Sequence, residues 1–131
     1  MKAKTFVSVA ACLLAGTLLG RGWYVSAEAS HERLVRIAEL QIDPAHLDVY
    51  KIALRKEIEA SIRVEPGVLS LYAVSIKDQP NQIRLFEVYA STAAYQAHLQ
   101  SEHFKKYKSE TAEMVQSLKL IETEPILLGA K

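Results

Sequence analysis

Two histidines five positions apart, His98 and His103, stand in a stretch that also carries Tyr95, Phe104 and Tyr107. Imidazole titrates near neutrality, so either ring is suited to take a proton from a weak oxygen acid. Glu87 lies inside the apolar run Leu85-Phe86-Glu87-Val88-Tyr89, where a carboxylate costs free energy unless it is paired. It either orients a histidine or forms a structural ion pair with Arg36, Arg84 or a second chain, and Glu39 poses the same question earlier in the sequence. Tyr72 and Tyr89 offer hydroxyls to a polar ligand, while Tyr95 and Phe104 offer ring surface to the wall of a pocket. Plainer readings stand beside these: core tyrosines with satisfied hydroxyls, a histidine hydrogen-bonded between helix and sheet, a helix-capping imidazole.

Five residues place two side chains about 140° apart on an ideal helix. Both rings can face one pocket only if the helix breaks between them, and Ser101 is the residue able to start a new helical segment. A metal centre would need three or four convergent ligands. His46 falls in the first turn of a different helix and His31 near the start of the folded part, and no HxxxH spacing occurs, so no metal is expected. The only cysteine, Cys12, sits in the N-terminal apolar run, which leaves the folded part without a disulfide, a thiolate nucleophile or a cysteine metal site.

The elements that must position these residues are readable from periodicity. Leu34 to Ile42 is apolar on both parities, as in a strand covered on two faces. Asp43-Pro44 starts a helix carrying Leu47, Tyr50, Leu54, Ile58 and Ile62 at helical spacing, and Glu65-Pro66-Gly67 stops it. Leu69 to Ile76 and Gln82 to Tyr89 form a hairpin across a turn at Asp78–Asn81. Ser91 caps a second helical region, which continues past Ser101 through Phe104, Tyr107, Thr111, Met114, Val115 and Leu118 and ends before Lys119. Leu120 to Leu128 closes the fold as a fourth strand, with Pro125 implying an edge or a bend. Two β-α-β units in succession make a ferredoxin-like β-α-β-β-α-β domain of class α+β, an antiparallel four-stranded sheet with helices on one face. Because three strands are apolar on both faces, the uncovered face needs a partner, and a second copy packed sheet to sheet in a two-fold homodimer is the simplest one.

The chain has 131 residues, 50% hydrophobic and 24% charged, which fits one folded domain. Net charge is +1, and setting aside Lys2, Lys4 and Arg21 leaves 13 basic against 15 acidic residues. The lysines at 105, 106 and 108 read as a solvated helix face, so no nucleic-acid partner is expected. Residues 1–29 combine two lysines, an apolar run from Phe6 to Leu19 and small residues around Ala27 and Ala29, the pattern of a cleaved secretory signal. The domain is then 30–131, placed in the periplasm or secreted, with cleavage after Ala27 or Ala29. A retained anchor extended by Trp23 to Val25, and a lipoprotein acylated at Cys12, are the alternatives. Membrane contact is expected only through a retained segment.

Glu65-Pro66-Gly67, Leu85-Phe86-Glu87-Val88-Tyr89, Ala97-His98 and Ser101-Glu102-His103-Phe104 together resemble the antibiotic biosynthesis monooxygenase domain, most closely its quinol monooxygenase members. The resemblance runs from about Leu34 to Leu128 and implies a dimeric α/β barrel. It also implies oxidation of a quinol or similar polyphenol by dioxygen as co-substrate, with no flavin, haem or metal. Such a reaction needs a base for the phenolic proton and an apolar pocket that excludes water. On that reading His98 is the base, His103 and Glu87 assist, and Tyr72, Tyr89, Tyr95 and Phe104 bind substrate. Other members of this fold class open three further possibilities: a non-enzymatic small-ligand-binding or stress-response dimer, a haem-binding protein and an isomerase. The only tryptophan, Trp23, lies in the signal region, against the haem alternative.

Overall fold

The structure is a computed structural model, and it describes residues 32–131. The expected signal segment and cleavage sites, with Cys12 and His31, lie outside the described residues. Four strands and three helices follow one another as β1 (Leu34–Ile42), α1 (Leu47–Val64), β2 (Val68–Ile76), β3 (Gln79–Tyr89), α2 (Thr92–Gln100), α3 (Glu102–Thr111) and β4 (Val115–Thr123), with single 3-10 turns at Pro44–His46 and Ala112–Met114. The sheet has the order β2-β3-β1-β4 with every neighbouring pair antiparallel. This is the ferredoxin-like α+β arrangement expected from the element order. No helix among the described residues is long and apolar enough to cross a membrane.

The starts and stops have local causes. Asp43 accepts a hydrogen bond from the Ala45 N–H at 3.0 Å, and Pro44 follows where a missing N–H is harmless. Ser91 Oγ accepts from the Ala94 N–H at 3.1 Å and so begins α2. Ser101 both ends α2 and begins α3: its backbone is extended (φ −64°, ψ 147°), its N–H reaches the His98 carbonyl, and its Oγ accepts from the Phe104 N–H. Gly67 is required by a close approach, since a Cβ there would lie 2.5 Å from the Ala94 side chain. Its carbonyl accepts from the Ala90 N–H, tying the entry of β2 to the exit of β3.

Register sorts the sheet into two faces, because directly opposed residues share one. The rows Ser75–Ile83–Leu40–Leu118 and Ala73–Leu85–Ala38–Leu120 face the helices, and with Ile42, Tyr50 and Leu54 they hold the main core. The next row, Leu71–Glu87–Arg36–Glu122, lies on the same face and is where polarity begins. The opposite face carries Tyr72–Phe86–Ile37–Ile121, with Tyr72 65% exposed.

Two boundaries differ from the sequence expectation. The last strand is Val115–Thr123, so Val115 and Leu118 do not continue a helix, Met114 closes the single 3-10 turn before it, and Pro125 lies beyond the strand. The apolar spacing there fits either period, and pairing with β1 decides: Val115 opposes Ile42, and the Asp43 N–H donates to the Met114 carbonyl at 2.8 Å. The hairpin turn is also tighter, with β3 starting at Gln79 rather than Gln82; the shift in register between Ser75 and Ile76 absorbs Pro80.

Candidate functional site

One face of α1 changes character along its length. Tyr50 and Leu54 are buried in hydrocarbon, whereas Glu57 and Ser61, one and two turns further on, are buried and polar. Ile62, expected on the buried stripe, is exposed instead. Glu57 is 5% exposed, and its Oε1 accepts a hydrogen bond from Ser61 Oγ at 2.7 Å. Burial, only partly offset by Ser61 and by the two nearby histidines, holds the Glu57 carboxyl above its ordinary pKa and favours its protonated form. The helix stops at Val64, and the next residue, Glu65, turns its carboxylate back under the helices.

That carboxylate is the centre of the site. Glu65 Oε1 accepts from His98 Nδ1 at 2.9 Å and from His103 Nε2 at 2.5 Å. Burial pushes the Glu65 carboxyl up, but the two hydrogen bonds and the charges of the two rings outweigh it, so its pKa lies below the ordinary value. An ionised Glu65 can only accept, which puts protons on His98 Nδ1 and His103 Nε2 and leaves His98 Nε2 with the lone pair. That nitrogen lies 3.7 Å from Glu57 Oε1, beyond hydrogen-bonding distance. The break at Ser101 brings the two rings together, with centroids 6.3 Å apart. His98 is 3% exposed and packs on Phe104 and Tyr89, at centroid distances of 4.6 and 5.4 Å.

His98 and Glu57 border a cavity of about 230 Å³ between sheet and helices. Its floor is Ala38, Leu40, Leu85, Leu118 and Leu120 from the sheet, and its walls include Tyr89, Tyr95, Phe104 and Tyr107. Glu87 also borders it. Burial raises the Glu87 pKa against the opposing hydrogen bond donated by the Tyr89 hydroxyl at 3.3 Å. Tyr95 is fixed by Arg36, whose guanidinium donates to the Tyr95 hydroxyl, lies 4.4 Å from the ring centroid, and pairs with Glu122 at 2.8 Å. Tyr50 and Tyr107 share a hydrogen bond at 2.6 Å, and burial pushes the Tyr50 phenol up to about 12.

The structure therefore gathers His98, Glu87, Tyr89, Tyr95 and Phe104 around one cavity and places His103 just behind it. Tyr72 is not among them; it lies on the other face of the sheet, because its position in β2 has the opposite parity to Leu71. Glu87 forms no ion pair among the described residues, since Arg36 turns to Glu122 and Tyr95, and Arg84 pairs with Glu39 at 3.7 Å. Two central residues were not singled out for chemistry by the sequence reading. Glu65 was legible only as part of a helix stop, and Glu57 is a charged residue on the stripe of Tyr50, Leu54 and Ser61, a signal that helical spacing alone could have supplied. Glu57, His98 and His103 each bring one potential ligand atom within 4.8 Å of the others, and His46 is not among them. The nitrogens not bonded to Glu65, His98 Nε2 and His103 Nδ1, keep their lone pairs, and the arrangement is a hydrogen-bonded acid–base cluster. Chemically it can take a proton from an aromatic ligand in an apolar cavity and stabilise the imidazolium formed.

Comparison with known proteins gives this geometry a context. Residues 33–110 match the antibiotic biosynthesis monooxygenase family. A Bacteriodes thetaiotaomicron VPI-5482 protein, provisionally described as an antibiotic biosynthesis monooxygenase, has a solved structure 48% identical over 76% of this chain and 95% of its own, with a TM-score of 0.74. A Lactobacillus acidophilus NCFM structure, provisionally described as a monooxygenase, is 30% identical over 70% of this chain and 44% of its own, with a TM-score of 0.67. A Nitrosomonas europaea structure with a similar description shares the fold at 23% identity, covering 72% of this chain and 91% of its own, with a TM-score of 0.68. No curated protein matches the chain. On the family match and on the 48% identity across most of its length, the chain belongs to the antibiotic biosynthesis monooxygenase family.

Proposed function

We propose that the protein oxidises a quinol or similar aromatic enol with dioxygen, without flavin, haem or metal. The observation that carries this reading is His98, held by ionised Glu65 so that its free Nε2 stands at an apolar cavity. A cavity of about 150 Å³ suffices for benzene, so 230 Å³ takes a small quinol. His98 Nε2 takes the phenolic proton, and the resulting anion is electron-rich enough to reduce dioxygen itself. For a simple hydroquinone the balance is quinol plus dioxygen giving hydroxyquinone plus water, with one oxygen atom entering the ring and the substrate supplying all the electrons. Phe104, Tyr89 and Tyr95 hold the ring and exclude water, and Glu87 contributes a carboxyl near the substrate oxygens.

The protein acts as a homodimer. The row Tyr72–Phe86–Ile37–Ile121, with Val74 beside it, leaves an apolar sheet face open, and a second copy packed face to face would bury it. The N-terminal segment supports work outside the cytoplasm, in the periplasm or secreted.

The test is oxygen uptake by metal-free protein with a panel of reduced benzoquinones and naphthoquinones, aerobic against anaerobic, followed by mass analysis. A product carrying one more oxygen atom and two fewer hydrogens than the quinol supports the reading, and undiminished turnover in His98→Ala removes His98 from the base role. One observation favours a second reading. Glu57 and Glu87, both shifted by burial toward the protonated form, border the same cavity as His98, and an acid facing a base suits isomerisation of a carbonyl compound. Product formed equally well without oxygen would select it.

A further inference from the structure

Behind the site lies a second, outer pocket of about 220 Å³, lined by Ala53, Lys56, His103, Lys106 and Glu110. Glu57 and Tyr107 border both pockets and so form the wall between them, with His98 on the inner side only and His103 on the outer side only. The wall residues offer no direct path for a proton. The Tyr107 hydroxyl is engaged with Tyr50, and Glu57 Oε1 is engaged with Ser61 and stands 3.7 Å from His98. Among the described residues, the hydrogen-bonded connection from the buried ring outward runs through Glu65 Oε1, which touches both imidazoles. His98 is 3% exposed, while the His103 side chain is 21% exposed.

We infer that Glu65 and His103 are a proton exit route from the cavity to the outer pocket, a role that rests on the proposed base function of His98. A substrate filling the inner cavity covers His98 Nε2, so the proton taken there cannot leave the way it came. His98 instead releases its Nδ1 proton to Glu65 Oε1. In its resting Nε2–H form His103 cannot accept, so the ring first turns out into the outer pocket, where water protonates Nδ1 and removes the Nε2 proton; returned in its Nδ1–H form, it takes the Glu65 proton at Nε2. The doubly protonated ring then gives its Nδ1 proton to water in the outer pocket, which leaves it in the resting Nε2–H form. No proton is gained or lost overall: one leaves the substrate and one enters water. The charged and titratable groups around this path are Glu57 and Lys56 from α1, Glu87 and Tyr89 from β3, Tyr95 from α2, and Lys106, Tyr107, Lys108 and Glu110 from α3.

The experiment compares wild type, His103→Gln, His103→Ala and Glu65→Gln by oxygen uptake with a reduced quinone as buffer concentration is varied. The His103 variants are expected to turn over at least about tenfold more slowly at low buffer, and His103→Ala to recover with added imidazole, which restores a proton carrier in the space left. His103→Gln turning over within about twofold of wild type at every buffer concentration overturns the route. A loss in His103→Ala that imidazole does not restore overturns it too. A measurement without turnover separates this from failure of the oxidase reading: the exchange of the His98 Nδ1 proton with water, followed by nitrogen-resolved NMR. Exchange slowed by at least about tenfold in folded His103→Gln and Glu65→Gln supports the route, and exchange unchanged in both overturns it, whether or not any quinol is oxidised.

Discussion

The two halves of α1 present the same helical face to the same sheet and do opposite things with it. The first half buries Tyr50 and Leu54 among Ile42, Leu40 and Ile83, where nothing titrates near neutrality. The second half buries Glu57 and Ser61 and ends at Glu65, next to two histidines. The first half supplies hydrophobic stabilisation, about 25 cal/mol per Å² of apolar surface removed from water. The second half spends burial on polar groups, which is tolerable only because each has a partner. Where a stripe on one helix passes from apolar to charged without becoming exposed, packing has given way to a site.

Mutations at the two ends should separate these roles. The largest effect is expected from His98→Ala, which should lower turnover by about 10²–10⁴-fold while the protein stays folded, as shown by its circular dichroism and melting curve. Ile42→Ala, in the hydrocarbon around Tyr50 and away from the cavity lining, should do the reverse: a loss of about 2–5 kcal/mol in urea unfolding, with activity per folded molecule largely kept. Were Ile42→Ala to abolish activity in folded protein, the division between the core packed on the first half of α1 and the site at its second half would fail. Gly67→Ala should cost about 1–3 kcal/mol, because the new Cβ would meet Ala94 at 2.5 Å and push α2 away from β2.

The smallest effect is a difference in pH dependence between Glu57 and Glu65. A carboxyl whose pKa is raised in the folded state, as at Glu57, contributes stability that is complete below the ordinary carboxyl range and lost as pH rises through the raised value. Glu65 has the opposite sign: its contribution is complete above the ordinary range and lost as pH falls through the lowered value. Melting temperatures across pH should therefore show Glu57→Gln flattening the decline on the rising-pH side and Glu65→Gln flattening the decline on the acid side. Matching profiles for the two variants would show that they are not distinct environments.

Much of this molecule was legible in advance, for reasons tied to particular residues. β1 and α1 were readable to their ends because Asp43-Pro44 and Glu65-Pro66-Gly67 punctuate them with side-chain and backbone chemistry that acts locally. The break at Ser101 was readable because one hydroxyl can cap the helix that follows it. β4 was misplaced because Met114, Val115 and Leu118 satisfy a helical and an extended spacing equally, and only pairing with β1 chooses between them. Tyr72 was placed with the site because a strand residue's face depends on register, which one strand read alone does not reveal.

The histidines followed the same division. His98 and His103 were visible as candidates, and the need for a break between them was visible too. Their shared carboxylate was not, since Glu65 is 33 and 38 residues away from them. The amino-acid sequence by itself determined the element order, the family and the presence of two imidazoles near aromatic rings, because periodicity, caps and turn residues act over a few positions. Only the tertiary structure decided that Glu65 joins the imidazoles and that Glu57 and Glu87 are buried beside them. Those facts depend on which strands and helices meet, and local preference does not encode contacts across tens of residues.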